Sequence, residues 1–272
     1  MSEASSFTDL VVSDQGAVRC LMLNRPQSKN GLTIELVAAL KQAVLDAGEQ
    51  DSVRAVLLAG SGGSFCSGLD LKAAVEMVQS MHSADGSVPG LSNEERMRHY
   101  FHGVIRALRS LPKPVLAYVD GPAAGFGCDL ALACDLRVGT ARASFAELFV
   151  RRGLMPDGGS TYTLPRLVGV GKALELMMLG DTVAAPEAQR LGLLNSVVES
   201  DEEAAAYAQR LAAGPPLVLR AIKQAVYAAL DGSLEEALEG EVRGQMGLLR
   251  TADFAEGMNA FFNKRPPHFT GH

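Results

Sequence analysis

Two stretches of this chain join the end of an apolar strand to the start of a helix through small residues. The first is Phe65-Cys66-Ser67-Gly68-Leu69-Asp70-Leu71, which follows the turn Gly60-Ser61-Gly62-Gly63-Ser64. The second is Asp120-Gly121-Pro122-Ala123-Ala124-Gly125-Phe126-Gly127-Cys128-Asp129-Leu130. A helix start leaves backbone N–H groups unspent, which suits an anion or an oxyanion. Two such junctions aimed at one carbonyl oxygen would make an oxyanion hole, where losing one donor costs roughly 2.7–4 kcal/mol of transition-state stabilisation. Taken singly, each junction is also readable as an ordinary capped helix start.

Two carboxylates are candidates for moving protons. Asp129 falls in the first turn of the second helix, within an otherwise apolar run. It suits either proton transfer or favourable placement on the helix dipole. Asp157 stands in Gly153-Leu154-Met155-Pro156-Asp157-Gly158-Gly159-Ser160, a Pro-Asp-Gly turn that is structurally ordinary on its own.

Other chemistry finds little support. Gly169-Val170-Gly171-Lys172-Ala173 lacks the upstream glycine and the Ser/Thr of a phosphate loop. Gly125-Phe126-Gly127 lacks the third glycine of a dinucleotide fingerprint, and there is no GxSxG elbow. His99 and His102 share a helix face and read as solvated surface, and Cys66 reads as a small buried residue. Cys20, Cys66, Cys128 and Cys134 form no CxxC or Cys/His ladder, so neither a disulfide framework nor a metal site is expected.

The elements that must position these groups are legible as alternation. Residues 17–23 and 53–59 read as strands, the second almost continuously apolar, as when both faces are covered. Thr33 reads as the N-cap of a helix running to about residue 47. Beyond Leu71 the pattern is helical but interrupted by a polar, glycine-rich loop around 83–90, a candidate lid. A strand at 115–119, a helix at 126–133 and a strand at 136–138 follow. This predicts an α/β chain with a mostly parallel sheet or a superhelical stack of such units.

After about Gly192 the character changes to helices at 201–211, 215–230, 233–249 and 253–263. The expected organisation is a core over 1–195 and a helical region over 196–272. The apolar residues Leu234, Ala237, Leu238, Met246 and Leu249 of that region need a partner, within the chain or on another subunit.

The 272 residues carry a net charge of −6, which argues against a nucleic-acid surface. No apolar run approaches the length of a membrane span, and the first residues lack a signal pattern. A reduced, cytoplasmic, globular protein is the expectation.

In this order the motifs resemble the enoyl-CoA hydratase/isomerase (crotonase) superfamily over nearly the whole chain. The carrying residues are Leu23-Asn24-Arg25-Pro26 with Asn30, the two junctions, Pro112-Lys113-Pro114-Val115, Cys134-Asp135 and the run from Gly153 to Gly159. The resemblance implies a spiral of ββα units with a helical C-terminal region used in trimerisation, often as a dimer of trimers. It implies an acyl-coenzyme A thioester as substrate and no separate cofactor. The oxyanion donors would be the N–H groups of Leu69 and Phe126. Lys29 with Ser67, Gly68, Asp70 and Leu71 would hold the adenine and pantetheine, and Gly125 and Phe149 would join the substrate site. Phe261 and Lys264 would approach the nucleotide, commonly from a neighbouring subunit.

Hydratases of that family use two glutamates to add water to a 2-enoyl thioester. The first such position is Asp129 here and the second is Phe149, which cannot transfer a proton. Asp157 stands where the family's double-bond isomerases place an aspartate. The run around it, Phe149 and the ending Glu256-Gly257…Phe269-Thr270-Gly271 are similar to the ring-opening isomerases of bacterial phenylacetate breakdown. An enoyl-CoA isomerase working through Asp157 is the expectation, with Asp129 as a second proton carrier or a water-orienting group. The alternatives are a 2-enoyl-CoA hydratase using Asp129 and a non-catalytic acyl-CoA binder.

Overall fold

The computed structural model describes residues 8–70, 72, 73, 75 and 92–272. The polar loop around 83–90, expected as a lid, and Leu71 lie outside them. Strand β1 (Leu10–Gln15) turns at Gly16, in the left-handed region at φ +60°, and runs back antiparallel as β2 (Val18–Leu23). Helix α1 (Ile34–Glu49) starts at Thr33, whose side chain accepts from the Leu36 amide at 3.2 Å, the cap expected from sequence. Strand β3 (Ala55–Gly60) follows.

Helix α2 (Asn93–Arg96) passes through a π-helical turn (Met97–Phe101) into α3 (His102–Ser110). Next come β4 (Val115–Val119), β5 (Pro122–Ala124), α4 (Phe126–Ala133), β6 (Leu136–Gly139) and β7 (Ser144–Ala146). A 3-10 turn (Leu148–Arg152) leads to α5 (Ser160–Val168), α6 (Val170–Leu179), β8 (Thr182–Ala184), α7 (Ala185–Leu191) and β9 (Ser196–Val197). Four helices close the chain: α8 (Asp201–Ala212), α9 (Pro216–Ala229), α10 (Leu234–Leu248) and α11 (Ala252–Phe262).

The main sheet has the order β1-β2-β3-β4-β6-β9 and is parallel apart from the β1–β2 pair. Its two faces are covered by different layers, which explains the continuous apolar runs of β3 and β4. Val56, Leu58, Val115, Ala117 and Val119 enter the core built with α1, α3 and α4. The alternate residues Ala55, Leu57, Ala59, Leu116 and Tyr118 face Ala204, Ala208 and Ala212 of α8. β5, β7 and β8 form a second, three-stranded sheet.

From α9 onward the packing changes. Lys223 pairs with Asp135 at 2.8 Å and Tyr227 donates to the same carboxylate at 2.6 Å, fastening α9 to the core. Neither α9 nor α10 buries a single residue, and Ile222, Val226, Leu234, Leu238, Val242 and Met246 are all exposed. The apolar faces that the sequence required to find a partner are uncovered in the single chain.

Candidate active site

The site is built at the ends of β2, β3 and β4, beginning with a buried asparagine. Asn30 is 0% exposed; its side-chain amide donates to the carbonyls of Ser61 and Ser64 at 2.9 and 2.7 Å, and its side-chain oxygen accepts from the Arg25 amide at 2.8 Å. That ties the loop after β2 to the glycine loop after β3. Lys29 and Asn30 both take left-handed backbone angles, at φ 51° and 57°, which the asparagine's hydrogen bonds hold in place. Ser67 bonds Lys29 through its amide at 3.0 Å and Ser28 through its hydroxyl at 3.1 Å. Asp70 accepts from Arg25 at 2.9 Å and from the Lys72 amide at 2.9 Å. Lys29, Ser67, Gly68 and Asp70 are therefore neighbours on two adjoining loops, with Asp70 serving as the strut.

The two glycine junctions meet. Cys66 and Ala123 form a parallel bridge, and the Ala124 amide donates to the Cys66 carbonyl at 2.9 Å. Gly68 sits at φ +89°, and a Cβ there would lie 2.9 Å from the Ala124 carbonyl and 3.3 Å from the Phe126 nitrogen. Only glycine lets the loop lie this close to the start of α4. Among the described residues, neither the Leu69 nor the Phe126 amide donates to a backbone carbonyl. Gly125 places the second of these donors: its amide bonds Ala146 at 2.8 Å, and its φ of +52° starts the helix. The Phe126 ring is buried edge-on against Phe101 at 5.1 Å, which anchors the helix start.

One turn along α4, Asp129 is 1% exposed, and both its oxygens are engaged. Oδ2 accepts from the Gly158 amide at 3.0 Å and Oδ1 from the Ser160 amide at 3.2 Å. It thus caps α5, whose own N-cap, Gly159, has no side chain to do so. From its place in the sequence Asp129 suits proton transfer or the dipole of its own helix; in the structure it holds the start of a different helix.

Asp157 precedes the first of those amides. Its Oδ1 is buried without a hydrogen-bond partner among the described residues. Burial raises its pKa, and the charge of His102 pulls it partly back. The His102 ring nitrogen Nε2 meets the Asp157 carbonyl at 2.9 Å. Phe149 is half-buried, with its ring edge 3.9 Å from where a side chain on Gly125 would begin. It therefore stands beside Gly125, the residue before the Phe126 donor.

Glu147 was not singled out by sequence. It is 2% exposed, and neither carboxylate oxygen has a hydrogen-bond partner among the described residues. Burial and then the charge of Asp129 push its pKa up to about 8. Burial likewise lifts Asp129 to about 7, against the lowering effect of the Gly158 and Ser160 amides. The buried Ser160 hydroxyl lies beside both carboxylates and lowers both, without reaching either in good hydrogen-bond geometry. The two amide donors favour the ionised form of Asp129, whereas Glu147 has no such donors.

Phe261 and Lys264 make no hydrogen bond or ring contact with the site loops among the described residues. Phe261 is 76% exposed at the end of α11. The tail beyond Lys264 is fastened by the Phe269 carbonyl to Arg54 at 2.7 Å, at the opposite end of β3 from the glycine loop.

The family model described as enoyl-CoA hydratase/isomerase matches residues 13–272. A Rhodobacter capsulatus protein named "Probable enoyl-CoA hydratase" is 40% identical over 260 residues, covering 92% of this chain and 93% of that protein. The 1,2-epoxyphenylacetyl-CoA isomerase of Escherichia coli is 35% identical over 257 residues, covering 93% of this chain and 95% of it. The crystal structure of an enoyl-CoA hydratase from Bacillus anthracis superposes with a TM-score of 0.87 at 32% identity, covering 97% of this chain and 100% of that one. The crotonase-like α/β fold expected from the sequence is the fold of this chain, which belongs to the enoyl-CoA hydratase/isomerase family.

Proposed function

We propose that this protein moves a double bond within an enoyl-coenzyme A thioester. The thioester carbonyl accepts from the Leu69 and Phe126 amides, which stabilise the enolate formed when a proton leaves the carbon chain. Asp157 takes that proton and returns it at another carbon. The observation that carries this reading is the buried, unpartnered Asp157 oxygen, on a carboxyl whose pKa burial raises.

Two further features favour isomerisation over hydration. Phe149 offers no second carboxylate to activate water, and its ring beside Gly125 would line a drier acyl pocket. Asp129 has both oxygens occupied by amides, which suits a positioning role better than the delivery of a proton. The loops around Lys29 and Ser67 to Asp70 would receive the coenzyme A portion, and the reaction needs no cofactor beyond it. The uncovered faces of α9 and α10 suit a trimer or a dimer of trimers, in which a neighbour would bring Phe261 and Lys264 to the nucleotide.

The second reading is a 2-enoyl-CoA hydratase, favoured by the names of the Rhodobacter and Bacillus relatives. An Asp157→Asn protein separates the two. On the isomerase reading it loses 3-enoyl-CoA turnover by about 10²-fold or more while still binding the thioester. Unchanged isomerisation by that variant would overturn the role of Asp157.

A further inference from the structure

The turn that carries Asp157 is held on two sides. Asp129 takes the Gly158 and Ser160 amides from the α4 side. On the other side α3 meets the turn twice. His102 Nε2 lies 2.9 Å from the Asp157 carbonyl, and the Ile105 Cγ2 methyl would be 3.7 Å from a Cβ on Gly159. A carbonyl only accepts, so the His102 nitrogen at that distance must carry the hydrogen.

The backbone before His102 is irregular at the place that matters. Met97–Phe101 is a π turn, and the His102 amide reaches back five residues to the Met97 carbonyl. One extra residue in a turn rotates everything after it by about 100° relative to a regular helix. The π turn thereby sets which face of α3 meets the Asp157 turn, while Phe101, within it, packs edge-on against Phe126. Phe101, in the turn, thus touches the start of the helix that carries one oxyanion donor, and His102, directly after the turn, touches the proton carrier itself.

Resting on the isomerase reading above, we infer that His102 is a positioning residue for Asp157. Its ring N–H, presented by the π turn, fixes the Asp157 peptide, and with it the direction in which the carboxylate meets the substrate. The Asp157 C=O and the Gly158 N–H are opposite ends of one planar peptide group, and Asp129 holds the N–H end. The histidine holds the C=O end of the same group from the opposite side. It acts through Asp157 and exchanges no proton with substrate.

The test compares wild type, His102→Leu, His102→Gln and Asp157→Asn on 3-enoyl-CoA. Leucine removes the donor, whereas the glutamine amide places an N–H close to where Nε2 stood. His102→Leu is expected to lower kcat by between about ten- and a hundredfold, with KM within about twofold of wild type, as for a misdirected reacting group. His102→Gln is expected to recover most of that loss, and both variants should melt within roughly 4 °C of wild type. The inference is overturned if His102→Leu keeps wild-type kcat while Asp157→Asn is impaired, or if Leu and Gln impair kcat equally. Full turnover by Asp157→Asn would instead sink the isomerase reading itself, so the two failures are distinct.

Discussion

Asp129 accepts the amide of Gly158 at 3.0 Å, so a buried carboxylate on α4 holds the residue that immediately follows Asp157. The helix that bears Asp129 begins at Phe126, one of the two candidate oxyanion donors. A single turn of helix and one hydrogen bond therefore connect the group that would stabilise negative charge with the group that would move the proton. Such short, buried links keep reacting groups in register without relying on surface loops.

That link is open to substitution. Asp129→Ala leaves two buried amides without acceptors, at about 1–3 kcal/mol each. For a chain of this size each kcal/mol lowers Tm by roughly 2–4 °C. Asp129→Ala is expected to melt several degrees below wild type and to lose kcat, with KM changed little. If calorimetry finds wild-type stability, Asp129 does not hold the turn in solution.

Gly68→Ala addresses the junction of the two loops. The added methyl would stand 2.9 Å from the Ala124 carbonyl at a backbone angle that L residues avoid, φ +89°. The loop must move, and the Leu69 amide moves with it. Loss of one oxyanion donor is worth about 10²–10³ in kcat, and steady-state kinetics should find a fall of that order. Wild-type kcat in this variant would remove Leu69 from the account.

Glu147 gives a pH prediction. Its carboxyl is raised from 4.5 to about 8 by burial and the nearby Asp129 charge. Between those values the folded protein keeps a proton that the unfolded chain has released. By linkage, this group makes stability fall as pH rises through that window. Glu147→Gln cannot titrate, so its Tm relative to wild type should climb between about pH 5 and about pH 8.5. A difference that stays flat across that range would mean that Glu147 is ionised, or exposed, in the folded protein.

Much of this architecture was legible because burial leaves a pattern. The continuous runs of β3 and β4, the Thr33 cap and the small residues from Gly121 to Gly127 each betray a local constraint. Strand β1 escaped notice because it is an edge strand with only Leu10 buried, so Val11 and Val12 carry no alternation. The three-residue strands β5, β7 and β8 are too short to show any period.

The site divides in the same way. Asp157 and the two junctions announce themselves through glycine and proline. Asp129 was visible, but its partners lie 29 and 31 residues away, so its capping of α5 could not be read locally. Glu147 sits in no glycine motif. Its one signal is a charged residue directly after the buried pair Phe145-Ala146, a placement that sequence alone does not separate from a solvated face.

The proposed reaction shifts a double bond without adding water. It is tested most directly by incubating the protein with 3-enoyl-CoA and with 2-enoyl-CoA in heavy-oxygen water and weighing the products. Products of unchanged mass in which the double bond has migrated are expected from the proposed isomerisation. A hydroxyacyl-CoA carrying heavy oxygen as the main product would contradict it, and would return the chemistry to Asp129.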